Sequence, residues 1–138
     1  MSRYLIDTNI LSEPIKSRPN QIVIETMQRH TEDMAIAAVT WHEMLSGCNR
    51  LPTSRKRQNL EQYLQYVLST FPILPYTQKA ASWHARERVR LVAIGQTPDF
   101  EDSQIAAIAH VNNLTLVTNN ISDYANFQDL NIENWFSL

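Results

Sequence analysis

Short apolar runs alternate with segments of helical periodicity along this chain of 138 residues, and this alternation constrains the fold more than any other feature. The apolar runs predict five strands, at residues 3–7, 34–39, 71–74, 114–118 and 130–135. The helical patterns lie at residues 41–50, 54–71, 77–94 and 102–113. Strands that alternate with helices favour a parallel sheet that is covered on both faces. We therefore predict an α/β fold with a central parallel sheet, formed by a single domain over residues 1–138.

The composition is typical of a soluble globular protein and narrows the possible functions. The chain is 43% hydrophobic and 19% charged, and no apolar run approaches the roughly 18 residues of a membrane-spanning helix. The chain has only two glycines, which is too few for the glycine-rich phosphate loops of dinucleotide-binding and P-loop proteins. Cys48 is the single cysteine, which excludes a disulfide framework. No basic leader with a cleavage signal precedes the first predicted strand, so we expect a cytoplasmic protein.

The charge of the chain is distributed unevenly, although the net charge is only −2. Residues 50–90 contain eight of the twelve basic residues and only two acidic ones, a local charge of +6. The rest of the chain has four basic and twelve acidic residues, a charge of −8. This pattern fits a surface that faces a polyanion beside an acidic site, and it also fits a solvated helical face.

The first predicted strand ends at Asp7, in the stretch YLIDTNIL. Ligands of parallel α/β sheets bind beyond the carboxyl ends of the strands, so Asp7 and Thr118 are both expected to face that crevice. Asp7 or Thr8 would also cap a helix that begins near Asn9. A carboxylate at a strand end is equally suited to bind Mg²⁺ or Mn²⁺. This stretch alone leaves both interpretations open.

Glu43 lies within the predicted helix 41–50, and its periodicity does not point to a site. The buried stripe of this helix is predicted to contain Trp41, Met44, Leu45 and Cys48. Glu43 falls on the opposite face, which favours a solvated side chain. Gly47, one turn further on, would allow another group to approach that face closely. The pattern does not decide between these interpretations.

Asp102 precedes Ile105, Ala106 and Ala109 on one face of a predicted helix. An acid in the first helical turn is stabilised by the helix dipole, so a capping role is one interpretation. Because the acid is aligned with the buried stripe, a position facing the crevice is the other. Asp99 is expected to lie in the preceding loop.

The stretch LVTNNISDY completes the set of polar residues at strand ends. Thr118 and Asn120 end a predicted strand, and Asp123 follows three residues later. Threonine and asparagine side chains can hold water or phosphate oxygens, but asparagine is also common in turns. Taken together, the acids place three carboxylates at the ends of elements, which a parallel α/β sheet would bring to one edge.

The order of these motifs resembles a known family. LIDTNIL at the start, a helical glutamate in WHEMLSG, and FEDSQIAAIA followed by LTLVTNN are similar to PIN-domain ribonucleases of the VapC toxin type. The stretches DTNILSEP and GCNRLP resemble the FitB-like branch. The resemblance implies a Rossmann-like α/β/α sandwich and an acidic site for Mg²⁺, in which Mn²⁺ can substitute. It also implies endonucleolytic cleavage of RNA, such as tRNA or rRNA, that inhibits translation in a type II toxin–antitoxin system.

The resemblance further implies partners for the chain. These are an RNA substrate, a cognate VapB-type antitoxin and a second copy of the chain in a homodimer. The homodimer is expected to form a larger assembly with the antitoxin on operator DNA, and no membrane is involved.

The site residues that the resemblance implies are carried over by position. Asp7, Glu43 and Asp102 match the family's catalytic, metal-binding acids, so the resemblance overrules the periodicity at Glu43. Thr8, Asn9 and Thr118 match small polar residues that line the site. Many members have an acid where Asn120 stands, which leaves open whether the site takes one metal ion or two. The alternative is a PIN fold that is catalytically weak or inactive and acts by binding RNA or a partner.

Overall fold

The computed structural model describes residues 1–137 and contains a five-stranded sheet between two layers of helices. The strands are β1 (Tyr4–Ile6), β2 (Met34–Ala37), β3 (Ile73–Leu74), β4 (Thr115–Val117) and β5 (Ile132–Glu133). The helices are α1 (Thr8–Leu11), α2 (Gln21–Arg29), α3 (Ala38–Asn49), α4 (Arg55–Thr70), α5 (Gln78–Ala93), α6 (Phe100–Val111) and α7 (Ile121–Tyr124). Short 3₁₀ turns lie at Glu13–Ile15, Thr31–Asp33 and Trp135–Ser137.

All five strands are parallel and lie in the order β3-β2-β1-β4-β5. The chain builds the sheet outward from β1 to β3 on one side, then returns to add β4 and β5 on the other. The strand order therefore changes direction beside β1, which is where open α/β sheets place their ligand crevice. The predicted α/β fold with a Rossmann-like parallel sheet is confirmed.

The central strands are buried on both faces, as expected for a parallel sheet covered on both sides. Within β1, Ile6 packs in one hydrophobic cluster and Leu5 in the cluster on the opposite face. Within β2, Ile36 packs in the same cluster as Ile6, and Ala35 packs in the same cluster as Leu5. One cluster includes residues of α2 and α4, and the other includes residues of α5 and α6. The apolar runs of these strands therefore lack an alternation of apolar and polar residues, because both faces of each strand are buried in the core.

The predicted boundaries differ from the observed ones where a cap or a proline acts. The strand predicted at 34–39 ends at Ala37, because α3 begins directly after it. The strand predicted at 71–74 is reduced to β3, and Pro72 before it has no N–H to donate to a ladder. The helix predicted from residue 102 begins at Phe100, because Asp99 caps it.

Hydrogen bonds of Glu87 and Arg90, which we call the clasp, anchor the segment that follows α7 to helix α5. The buried carboxylate of Glu87 accepts hydrogen bonds from the backbone N–H of Gln128 at 2.8 Å and from the guanidinium of Arg90 at 2.8 and 3.0 Å. Arg90 also donates to the carbonyl of Asn126 at 2.7 Å. The Arg90 guanidinium, together with the Gln128 N–H, holds the pKa of Glu87 below its usual value. Residues 126–128, which directly follow α7, are therefore fixed to α5.

No helix within residues 1–137 combines the length and the apolar character needed to cross a membrane.

Candidate active site

The predicted site residues meet at a cleft of about 410 Å³ beyond the carboxyl end of β1. Its lining residues are Asp7, Thr8, Asn9, Glu43, Asp99, Glu101, Asp102 and Asn120. Thr118 lies directly beneath the cleft and is fully buried. All seven residues expected from the sequence are therefore at this edge of the sheet. The lining also includes Asp99 and Glu101, which brings the number of acids to five and includes no lysine or arginine.

Asp7 is held by donors on both carboxylate oxygens. Its Oδ1 accepts the backbone N–H of Thr8 at 2.8 Å, which makes Asp7 the N-cap of α1. Its Oδ2 accepts from Thr118 Oγ1 at 2.8 Å and from Asn9 Nδ2 at 3.1 Å. The backbone N–H of Asp7 donates to the carbonyl of Val117 at 2.9 Å and continues the pairing of β1 with β4. Asp7 is thus both a cap and a rigidly placed carboxylate at the cleft.

Asn9 connects the start of α1 to the loop after β4. Its Oδ1 accepts the backbone N–H of Asn119 at 2.8 Å, and its Nδ2 reaches Asp7 Oδ2. The backbone N–H of Asn120 donates to Thr118 Oγ1 at 3.0 Å. These bonds fix the start of α1 and the loop after β4 relative to each other.

Glu43 lies on the lining of the cleft, as the resemblance implied, and its side chain is partly buried. Thr8 Oγ1 donates to Glu43 Oε2 at 3.2 Å. Burial raises the pKa of Glu43 above its usual value, and the negative charges of Glu101 and Asp7 add to this rise.

The helix face predicted for burial in α3 is partly wrong. Leu45 is 38% exposed and Trp41 is partly buried, whereas Thr40, Met44 and Cys48 are buried. Helix α3 contacts α1, α4 and α6 as well as the sheet, so more than one of its faces is covered. A single apolar stripe does not describe such a helix.

Asp102 does not cap α6, because Asp99 is the N-cap of this helix. Asp99 Oδ1 accepts the backbone N–H of Asp102 at 2.9 Å, so the side chain of Asp102 can face the cleft. Burial, reinforced by the charge of nearby Asp99, raises the pKa of Asp102 to about 6. The charges of Asp123 and Asp7 contribute in the same direction.

Tyr124 is a residue of this site that the sequence did not reveal. Its side chain is 1% exposed, and its hydroxyl oxygen lies 3.2 Å from Asp102 Oδ1 and 3.3 Å from Asp7 Oδ2. Burial and the adjacent carboxylates of Asp7 and Asp102 raise its pKa far above the usual value. An aromatic residue after Asp123 has no distinguishing pattern in the sequence, because only the fold brings it beneath the acids.

The donor set of the cleft suits a hard divalent cation, although the acids do not converge. Carboxylate oxygens are the ligands that Mg²⁺ and Mn²⁺ prefer. Burial and the charges of neighbouring acids raise the pKa values of Glu43 and Asp102, and a cation bound between them would favour their ionised forms. Within residues 1–137, however, no three acidic, histidine or cysteine side chains lie close enough together to hold one metal ion. The residues therefore fit a cation by their chemistry, and an ion that contacts all three acids must draw the side chains inward.

The fold and the site together define an α/β sandwich with a polyacidic cleft at the carboxyl edge of its central strand. The family model described as PIN domain matches residues 4–127. The chain belongs to the PIN domain family.

Several relatives match most of the chain. Toxin FitB of Neisseria gonorrhoeae is 31% identical over 124 residues, which are 87% of this chain and 89% of that protein. Ribonuclease VapC2 of Rickettsia felis is 28% identical over 134 residues, 96% of this chain and 97% of that protein. The tRNA(fMet)-specific endonuclease VapC of Salmonella typhimurium is 28% identical over 136 residues, 98% and 99% of the two chains.

Solved structures that are similar to this chain include toxin–antitoxin complexes. FitAcB from Neisseria gonorrhoeae matches with a TM-score of 0.90 and 29% identity, over 98% of this chain and 99% of that one. DNA-bound VapBC from Salmonella typhimurium matches with a TM-score of 0.85 and 26% identity, over the same shares of the two chains. The resemblance to PIN-domain proteins of the VapC and FitB kind, expected from the motifs, is confirmed.

Proposed function

We propose that this protein is a VapC-type endoribonuclease toxin of a toxin–antitoxin module, which hydrolyses phosphodiester bonds of RNA with the help of Mg²⁺ and thereby inhibits translation. The observation that carries the proposal is the acidic cleft beyond β1 of a PIN fold, lined by five carboxylates and by no lysine or arginine. Such a cleft repels the phosphate backbone of RNA unless a cation neutralises it. A cation-dependent reaction accounts for this arrangement.

Asp7, Glu43 and Asp102 are the residues that would hold the cation, and Mn²⁺ can take the place of Mg²⁺. When bound, the cation supplies activation of a water nucleophile at neutral pH and neutralises charge at the scissile phosphate. Glu101, on the lining of the same cleft, adds to the negative potential that attracts cations. Asn120 contributes no charge, so the three acids carry the binding role.

The neighbouring polar residues orient the acids. Thr118 and Asn9 donate to one oxygen of Asp7, which leaves that carboxylate a single orientation. Thr8 donates through its hydroxyl to Glu43 and through its backbone to Asp7, so it links two of the three acids. Hydrogen bonds of this kind fix the orientation of metal-binding carboxylates in proteins.

The basic residues of segment 50–90, which we propose attract the RNA backbone, divide into two groups. Arg57 donates to the carbonyl of Leu51 at 2.8 Å, and Arg90 belongs to the clasp of Glu87, so both have structural partners. The exposed members are Arg50, Arg55, Lys56, Lys79, Arg86 and Arg88. These side chains supply the electrostatic attraction for the RNA backbone. A structured RNA such as tRNA or rRNA is the proposed substrate, and the name of the Salmonella relative supports tRNA.

The proposed partners follow from the same relatives. A VapB-type antitoxin would bind the toxin and block the cleft, and a toxin homodimer would assemble with it on operator DNA. The solved FitAcB and DNA-bound VapBC complexes support these partners for this chain. We expect the toxin and its antitoxin to act in the cytoplasm, where translation takes place.

Removal of the divalent cation tests the proposal directly. Purified protein incubated with bulk tRNA and Mg²⁺ is expected to produce discrete fragments on a denaturing gel. EDTA is expected to abolish these fragments, and excess Mg²⁺ or Mn²⁺ to restore them. Equal cleavage with and without EDTA would contradict the proposal. RNA binding without cleavage in either metal would favour the inactive binding module instead.

A further inference from the structure

We propose that Tyr124 is a positioning residue, whose hydroxyl limits the rotation of the Asp102 carboxylate and keeps it beside Asp7, so that less side-chain freedom is lost when a divalent cation binds. This inference rests on the proposed function, because it concerns the cation site of the same cleft. It assigns a role to a side chain that carries no charge and lies beneath the cleft, outside its lining.

Tyr124 is the residue that connects the two acids. Its hydroxyl oxygen is 3.2 Å from Asp102 Oδ1 and 3.3 Å from Asp7 Oδ2. Within residues 1–137, the Asp102 carboxylate has no other hydrogen bond. Asp7, in contrast, has three further donors, from Thr8, Asn9 and Thr118. Loss of the Tyr124 hydroxyl therefore leaves Asp7 in place and frees Asp102.

The tyrosine ring is held in place, so its hydroxyl stays beside both carboxylates. The side chain is fully buried and packs beside Phe127, with ring centroids 6.4 Å apart. The chain that follows α7 is fastened to α5 by the clasp of Glu87 to Gln128 and of Arg90 to Asn126. The hydroxyl is therefore presented from a rigid support, which is the property that orients a metal ligand.

The position of Asp102 matters because the acids of the cleft are not drawn together in the described structure. Binding of a cation must pay for bringing the carboxylates inward, and that cost grows when one of them is free to rotate. Removing a hydrogen-bond partner of a metal ligand typically weakens metal affinity by about 10-fold to 100-fold. We expect the lower end of this range for Tyr124→Phe, because the ring and its packing remain.

The test is Mn²⁺ binding to metal-free protein, measured from the electron paramagnetic resonance signal of unbound Mn²⁺. Tyr124→Phe is expected to raise the Kd for Mn²⁺ about tenfold over the wild type. The matched control is Tyr76→Phe, which also removes a tyrosine hydroxyl with a hydrogen bond, here to His84 Nδ1 at 2.7 Å, and no carboxylate is involved. The control is expected to keep the wild-type Kd.

Urea denaturation of each variant accompanies the titrations, so that a Kd is compared only between folded proteins. Equal or tighter Mn²⁺ binding by Tyr124→Phe overturns the inference, and so does an equal loss in Tyr76→Phe. If the wild type cleaves RNA and binds Mn²⁺ while Tyr124→Phe binds it equally well, only this inference fails. If the wild type itself binds no Mn²⁺, the proposed cation-dependent function fails with it.

Discussion

Replacing Asp7 by asparagine is expected to lower the rate of RNA cleavage by about a hundredfold or more. Asp7 is the acid with the most hydrogen bonds in the cleft, and it is 6% exposed. An amide has one oxygen and no charge, so it binds a divalent cation far more weakly than a carboxylate does. The measurement is the initial rate of tRNA cleavage at saturating Mg²⁺.

The same substitution is expected to leave the fold intact. Asparagine is as good an N-cap as aspartate, so the bond from the Thr8 N–H to Oδ1 can persist. The new amide N–H₂ group meets the donors of Thr118 and Asn9, and this conflict costs about 1 kcal/mol of unfolding free energy. Asp129→Asn, the same change at an exposed position, serves as the control and is expected to cleave at the wild-type rate. Wild-type activity in Asp7→Asn would show that cleavage does not require this acid and would contradict the prediction.

Asp102→Asn is expected to abolish cleavage and yet to stabilise the metal-free protein by about 1 kcal/mol at pH 7, a value discounted for solvent screening. Burial and the charge of Asp99 raise the pKa of Asp102 from 3.8 to about 6, so the ionised side chain opposes folding. Between about pH 4 and pH 6, the folded state retains a proton that the unfolded state has lost. The contribution of Asp102 to stability therefore falls as the pH rises through this window.

The stability difference between Asp102→Asn and the wild type is expected to be near zero or negative at pH 4 and to favour the variant above pH 6. Urea denaturation in EDTA at several pH values measures it. The Asn carbonyl can still accept from Tyr124, so packing and this hydrogen bond are preserved. A variant that is less stable than the wild type at pH 7, or a difference that does not change with pH, would contradict this prediction.

The fold could be predicted from the sequence because its signals are local and repeated. The apolar runs of β1, β2 and β4 are nearly continuous, since both faces of these strands are core, and helical patterns separate them. Strand ends were less accurate, because caps such as Asp99 and short pairings such as β3 depend on neighbours in space. The carboxyl-edge position of Asp7 followed from the parallel sheet alone.

The site was predictable only where a residue lies at a strand end or heads a buried stripe. Asp7 and Asp102 met these conditions, although the sequence left capping open for both. The structure resolves that question differently for each: Asp7 caps α1 and still faces the cleft, whereas Asp99 caps α6 in place of Asp102. For Glu43, periodicity favoured solvent without deciding, and only the resemblance placed it at the site, because the contacts of α3 with α1 and α6 have no signal in its own sequence. Tyr124 was missed because its contacts with Asp7 and Asp102 arise from the fold and have no signal in its own sequence.

The most direct test of the central claim is the sequencing of RNA 5′ ends after a brief pulse of expression, with the wild type compared to Asp7→Asn. The account predicts new 5′ ends at a small number of sites in structured RNA, with growth arrest, in the wild type only. The antitoxin, when co-expressed, is expected to suppress both effects. The same 5′ ends in Asp7→Asn, or growth arrest by the wild type without any new 5′ end, would contradict it.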